Sequence, residues 1–206
     1  MWFKYPKDPN TFAIDHQFFY GDSILVSPVT QENAISVSIY LPKDRFYDFN
    51  TLAPVEGTGS VVTLNNVDLT QIPIHIKGGV VLPLRVESTM TTTALRMKDF
   101  ELVVAPNSVG EASGQLYADD GESLLPSLLT LAKFKFNDRK FILSGNFDYP
   151  SEVKISRLRI LNVQETPRQV YVDQKLTQSY HYDQSSKVLD VTIGRPFTGE
   201  FEVHYF

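Results

Sequence analysis

Past Gly21 the chain is written, almost to its last residue, in short alternating runs separated by turn residues, and that confines it to β architecture. The clearest run is 35–41. Ile35, Val37, Ile39 and Leu41 share one face and Ser36, Ser38 and Tyr40 the other, as in a half-buried strand. Residues 24–29, 45–49, 60–64, 74–77 and 80–84 read as strands too. A second series covers 100–105, 115–118, 128–136, 140–144, 153–163, 169–172, 180–182, 188–193 and 200–206. Strands at a spacing of about 8–12 residues with turn signals between them predict sandwiches of antiparallel sheets.

Upstream of Gly21 the pattern differs. Trp2-Phe3-Lys4-Tyr5-Pro6 predicts a short aromatic strand ended by Pro6. Pro9, Asn10 and Thr11 offer a helix start, and 11–20 is the one stretch predicted helical. The first residues therefore read as the end of another pattern. Apolar periodicity lapses in the polar, threonine-rich 87–93, which marks a domain boundary near residue 90. Pro126 interrupts 124–131 and leaves that stretch ambiguous.

Several function classes are disfavoured by composition. The 206 residues carry 24 acids against 19 bases, a net charge of −5, and no basic cluster longer than a pair, so a nucleic-acid surface is not expected. No apolar run approaches the ~18–20 residues of a membrane span. Zero cysteines exclude disulfides and thiolate metal sites without fixing a compartment. No N-glycosylation sequon occurs.

The densest acidic cluster is Asp119-Asp120-Gly121-Glu122-Ser123. A calcium loop of the EF-hand kind needs alternating ligands closed by a distant Glu, and Leu124-Leu125-Pro126 breaks that pattern. Adjacent aspartates cannot flank a glycosidic bond, which requires carboxyl groups about 5–10 Å apart. The cluster reads as a turn, with aspartates bonding their own backbone and Gly121 at positive φ. His16, His75, His181 and His204 lack metal-ligand spacing, and His75 is expected to point away from Ile74 and Ile76. Gly110, Gly114 and Gly121 form no phosphate loop. The single tryptophan, Trp2, lies in the first predicted strand, and the other aromatics read as core rather than a sugar-stacking surface. No residue is assigned a catalytic, cofactor-binding or metal-binding role.

Residues 1 to about 125 resemble the C-terminal part of glycoside hydrolase family 31, in its fungal α-glucosidase branch. The resemblance rests on Phe3-Lys4-Tyr5-Pro6-Lys7-Asp8, Asp15-His16-Gln17-Phe18-Phe19-Tyr20-Gly21 and Ile24-Leu25-Val26-Ser27-Pro28-Val29. Further matches are Tyr40-Leu41-Pro42 with Phe46-Tyr47-Asp48, Ile76-Lys77-Gly78-Gly79 with Leu82-Pro83-Leu84, and the Asp119–Ser123 cluster. It implies an all-β chain of two antiparallel β-sandwich domains in series, preceded by the last strand of a (β/α)₈ barrel. Residues 1–22 would be the barrel end, 23–90 the proximal sandwich and 91–206 the distal one. It implies a parent that hydrolyses terminal α-linked glucose with retention, is secreted or cell-wall associated, and uses an aspartate nucleophile and an aspartate acid. No residue here matches either motif, so the expected role is support of the parent's catalytic barrel. The partners implied are that barrel and, only through it, an oligosaccharide. No cofactor, nucleic acid or membrane is expected. The alternatives are a stand-alone β-sandwich module binding carbohydrate or protein, and the same segment of an α-xylosidase.

Overall fold

A computed structural model describes all 206 residues as two compact units, Met1–Gly78 and Gly79–Phe206. Strands dominate both.

In the first unit the strands are β1 (Phe18–Tyr20), β2 (Ile24–Val26), β3 (Ser36–Leu41), β4 (Arg45–Asp48), β5 (Pro54–Glu56), β6 (Ser60–Asn65) and β7 (Ile74–Lys77). Five of them form a sheet in the order β1-β2-β7-β4-β5, and β3 pairs with β6 as a separate two-stranded sheet. The alternation read in 35–41 is what joins the two layers. Ile39 and Leu41 of β3 share one core with Leu25 of β2 and Phe46 of β4. Burying four such side chains contributes about 1.5–3 kcal/mol each.

Two expectations upstream of Gly21 are corrected. Residues 2–4 form a turn, not a strand: the N–H groups of Lys4 and Tyr5 donate to the carbonyl of Met1 at 3.0 and 3.2 Å. No strand of the chain pairs with this segment, so its backbone groups close locally. The helix expected over 11–20 is only a 3₁₀ turn, Pro9–Thr11, capped by Asp8, whose carboxylate accepts from the Asn10 N–H. Phe18–Tyr20 instead pairs antiparallel with Ile24–Val26 across Gly21, at φ +61°. Aromatic residues favour a pleated ladder, and here a partner strand lies one tight turn away.

His75 sits on β7 opposite Leu25, away from the side of Ile74 and Ile76, as expected from the alternation. It is 3% exposed, and its Nδ1 is buried without a hydrogen-bond partner. Burial pushes the imidazole below its ordinary range, against the opposite pull of Asp48 across the ladder. The unfolded chain therefore takes up the proton first. The neutral-histidine contribution is complete above the unfolded value of about 6.5 and is lost as pH falls from there through the depressed folded value. The denaturant midpoint of the first unit is expected to drop between about pH 7.5 and pH 5, and His75→Leu to flatten that slope. An equal slope in both proteins would show that His75 does not set it.

The second unit begins with β8 (Val80–Arg85). A short helix, α1 (Thr92–Arg96), follows, capped by the Thr91 hydroxyl accepting from the Ala94 N–H at 3.2 Å. The polar stretch 87–93 thus connects elements of this unit. Then come β9 (Phe100–Ala105), β10 (Ala112–Ala118), β11 (Thr130–Asn137), β12 (Lys140–Phe147), β13 (Lys154–Ile160), β14 (Val170–Val172), β15 (Lys175–Thr177), β16 (Tyr180–Asp183), β17 (Val188–Pro196) and β18 (Phe201–Tyr205). The ambiguous 124–129 joins no strand, and β11 begins at Thr130 rather than Leu128.

These strands make one eleven-stranded sheet in the order β15-β14-β18-β12-β11-β10-β8-β9-β13-β17-β16. It is mixed, where sandwiches of antiparallel sheets were expected: β9 runs parallel to β13, and β10 parallel to β8. The sheet curls until it nearly closes. Its outermost strands, β15 and β16, are separated in sequence only by Gln178 and Ser179. Phe147, at the end of β12, meets Phe197, just past β17, edge to face at 5.9 Å, although the two strands are far apart in sheet order. Inward residues of most strands therefore fill a single core, including Leu102, Phe134, Phe141, Leu158, Val191 and Val203. The pattern is plainest in β11, where Thr130, Ala132, Phe134 and Phe136 are buried while Lys133 and Lys135 are exposed.

Candidate functional site

The acidic cluster singled out in the sequence lies in the loop after β10. Its side chains are spent on the loop itself. Asp119 Oδ1 accepts from the Gly121 N–H at 2.9 Å, and Asp120 Oδ1 from the N–H groups of Glu122 and Ser123 at 3.1 and 3.0 Å. Ser123 Oγ donates to Asp120 Oδ2 at 2.5 Å. Gly121 has φ +73°, a region that favours glycine. The arrangement is the turn that the residue types predict.

What the sequence did not reveal is Arg96. The C-terminal residue of α1 reaches the loop, and its Nη2 donates to both the carbonyl oxygen and Oδ1 of Asp119, the latter at 3.0 Å. A separation of 23 residues offers no periodicity or spacing from which that pair could be read. The Arg96 bond holds the Asp119 carboxyl below its usual range, helped by Tyr117 and the Gly121 N–H. The hydroxyl and N–H of Ser123 and the N–H of Glu122 bring Asp120 down to about 2. A general acid needs its pKa raised toward the working pH, and both groups here are displaced the other way. With a guanidinium already on Asp119, the loop is a clamped turn.

That reading has a thermal test. Gly121→Val should destabilise by about 1–3 kcal/mol through positive-φ strain, and more if Arg96 is driven off Asp119, because a Cβ there would lie 2.4 Å from the guanidinium. Asp119→Asn should cost less, since an amide oxygen keeps the turn bond and loses only the exposed ion pair. Calcium and a chelator should leave both melts unchanged. A calcium-dependent rise that vanishes in Asp119→Asn would make the loop a metal site.

The remaining candidates are dispersed. His16 is exposed, 3.2 Å from Asp15. His181 is exposed opposite Asp190, and His204 lies against Phe206, with ring centroids 4.2 Å apart. No group of three or more His, Asp or Glu side chains is placed to hold a metal. Gly110, at φ +85°, belongs to a turn stapled by Asn107, while Gly114 is inside β10.

The most connected polar cluster ties the first residues to the first unit. Gln17 is 6% exposed. Its Nε2 donates to Ser27 Oγ at 2.9 Å and to the Tyr40 carbonyl at 3.2 Å, while its Oε1 accepts from the Tyr40 N–H at 2.6 Å. The Tyr40 hydroxyl donates to Asp8 Oδ2 at 2.6 Å. Tyr5 donates to Asp44 Oδ2, which also pairs with Lys77 at 3.0 Å, and burial together with Asp44 raises the phenol above its normal range. A buried amide that satisfies both ends on one strand is costly to remove. On the outside of the same segment, Trp2, Phe3, Phe12, Phe18 and Tyr20 remain 52, 79, 57, 49 and 75% exposed.

Residues 1–82 match the model of the glycosyl hydrolase family 31 C-terminal domain. A probable α/β-glucosidase of Aspergillus clavatus is 49% identical over 170 residues, which is 82% of this chain and 19% of that protein. A probable α/β-glucosidase of Arthroderma benhamiae is 41% identical over 98% of this chain and 24% of its own length. The chain thus spans about a fifth to a quarter of the curated relatives it matches. Among solved structures, a family 31 dextranase of Flavobacterium johnsoniae superposes over 99% of this chain and 28% of its own, with a TM-score of 0.82 at 19% identity, a likeness of fold. The chain belongs to glycoside hydrolase family 31, matches that family's C-terminal domain over residues 1–82, and is similar to probable α/β-glucosidases of fungi.

Proposed function

We propose that this chain is the C-terminal β part of an α-glucosidase that releases terminal α-linked glucose from oligosaccharides, and that it supports a catalytic barrel without supplying the catalytic carboxylates. The observation that carries the reading is the 49% identity to a fungal α/β-glucosidase over 82% of the chain. In this reading residues 1–22 belong with the end of the barrel, and residues 23–90 and 91–206 are the proximal and distal β domains of the parent. The exposed aromatics of residues 2–20 support it, because a large apolar patch marks a surface that packs against something else. The Gln17–Tyr40–Asp8 bonds would then hold the barrel end onto the first β domain.

Retaining hydrolysis needs two carboxyl groups about 5–5.5 Å apart across the scissile bond, one of them with a raised pKa. The Asp119–Ser123 loop meets neither requirement. The purified chain is therefore expected to release no chromophore from an aryl α-glucoside. Turnover that copurifies with the chain and is abolished by a mutation within it would overturn the proposal.

A further inference from the structure

The arginines of this chain are, with two exceptions, fixed by tight partners. Arg45, Arg96, Arg157, Arg159 and Arg195 pair with Glu56, Asp119, Glu101, Asp190 and Asp173. Arg85 donates to the Lys98 carbonyl and lies over the Phe100 ring, 3.7 Å from its centroid. The exceptions are Arg139 and Arg168. Arg139 has only Glu165, at 4.0 Å, whose side chain is 82% exposed. The Arg168 guanidinium has no partner, although its backbone N–H is bound to the Phe206 carbonyl. Both line one cavity of about 360 Å³ in the second unit, which Asn162, Gln164 and Thr166 also line.

We propose that this cavity binds a small oxyanion, a carboxylate or phosphate, between the guanidinium groups of Arg139 and Arg168. Guanidinium matches the paired oxygens of such groups with parallel charge-assisted hydrogen bonds. The backbone that carries the two arginines is anchored, while their exposed guanidinium groups stay free to close on an anion. Arg139 occupies the second position of the Asp138-Arg139 turn between β11 and β12, both residues at positive φ, and its carbonyl accepts from the Tyr205 N–H. Arg168 is anchored through the backbone to the end of β18. Gln164 is oriented by its bonds to Asn162 and by Lys187 Nζ at 2.9 Å, which brings a third cation near the rim. The single acidic side chain on the wall, Glu165, is exposed enough to swing away when an anion enters. The volume leaves room for an anion with a small organic body as well as for a bare ion.

The test is calorimetric titration of the full chain with inorganic phosphate and, separately, with citrate, at constant ionic strength. Saturable binding is expected for at least one, and which one separates the phosphate source from the carboxylate source. Arg168→Gln and Arg139→Asn should each weaken it by about tenfold, the loss expected for one charge-assisted pair. Asparagine tolerates the positive φ at position 139. Glu165→Gln should tighten binding by removing the competing carboxylate. Unchanged melting temperatures in the absence of anion would show that the variants are folded. No saturable binding of either anion below about 10 mM, or binding that survives both arginine changes, would overturn the proposal.

Discussion

Replacing Phe141 by alanine is expected to destabilise the second unit by about 3–5 kcal/mol, the range for deleting a buried phenylalanine. Phe141 is fully buried on β12, facing Phe136 across β11 and Val203 across β18. Its ring lies 6.3 Å from Phe134, nearly stacked, and 5.8 Å from Phe201, tilted. Two flanking strands and two aromatic rings therefore converge on it. Neighbours held in ladders cannot collapse into the vacated space, so the cavity term adds to the lost transfer energy. Ile142, the next residue, is 38% exposed on the opposite face, and Ile142→Ala should cost far less. Urea melts of the two variants check this. Similar losses in both would mean that the sheet does not close over Phe141.

Gly145→Ala is the second large effect. Gly145 lies within β12 opposite Ala132, at φ +145°, and a Cβ there would stand 2.1 Å from the Leu131 carbonyl oxygen and 3.1 Å from the Ala132 Cα. These are backbone atoms of the adjacent strand, so no rotamer change relieves the clash. Either β11 and β12 separate or the alanine adopts a strained backbone. Strain of about 1–3 kcal/mol and overpacking of similar size give about 2–6 kcal/mol together. Gly121 differs, because its nearest obstacle is the movable end of Arg96. Gly145→Ala should therefore lower the melting temperature more than Gly121→Ala, and the reverse order would contradict this account of the β11–β12 contact.

The fold was legible wherever a strand alternates. Residues 130–137 show their buried face in composition alone, as do Ile39 and Leu41, because that side meets a core. Ile35, read on the same face, lies outside β3 and is 66% exposed, and Tyr40, read on the other face, is buried with its hydroxyl on Asp8. What depended on long-range pairing was not legible. Phe18–Tyr20 looks helical beside Pro9-Asn10-Thr11 until Ile24–Val26 is seen to complete its ladder. The short strands Pro54–Glu56 and Lys175–Thr177 have too few residues to show a period. Curling the second unit into one mixed sheet depends on β9 meeting β13 across the intervening hairpins, which no local pattern encodes. The acidic loop was read correctly as a turn because aspartate and glycine carry that chemistry locally. Its clamp by Arg96 and the Gln17 lock are tertiary facts.

The central claim is that this chain supports a barrel and leaves the chemistry to it. The most direct measurement exchanges it for the matching segment of the Aspergillus clavatus relative and assays the purified chimera on an aryl α-glucoside, beside the same enzyme lacking the segment. The account predicts that the chimera is soluble and turns substrate over, that the truncated enzyme is unstable, and that this chain alone is inert. A truncated enzyme that stays folded and fully active, or a folded chimera without activity, would contradict it.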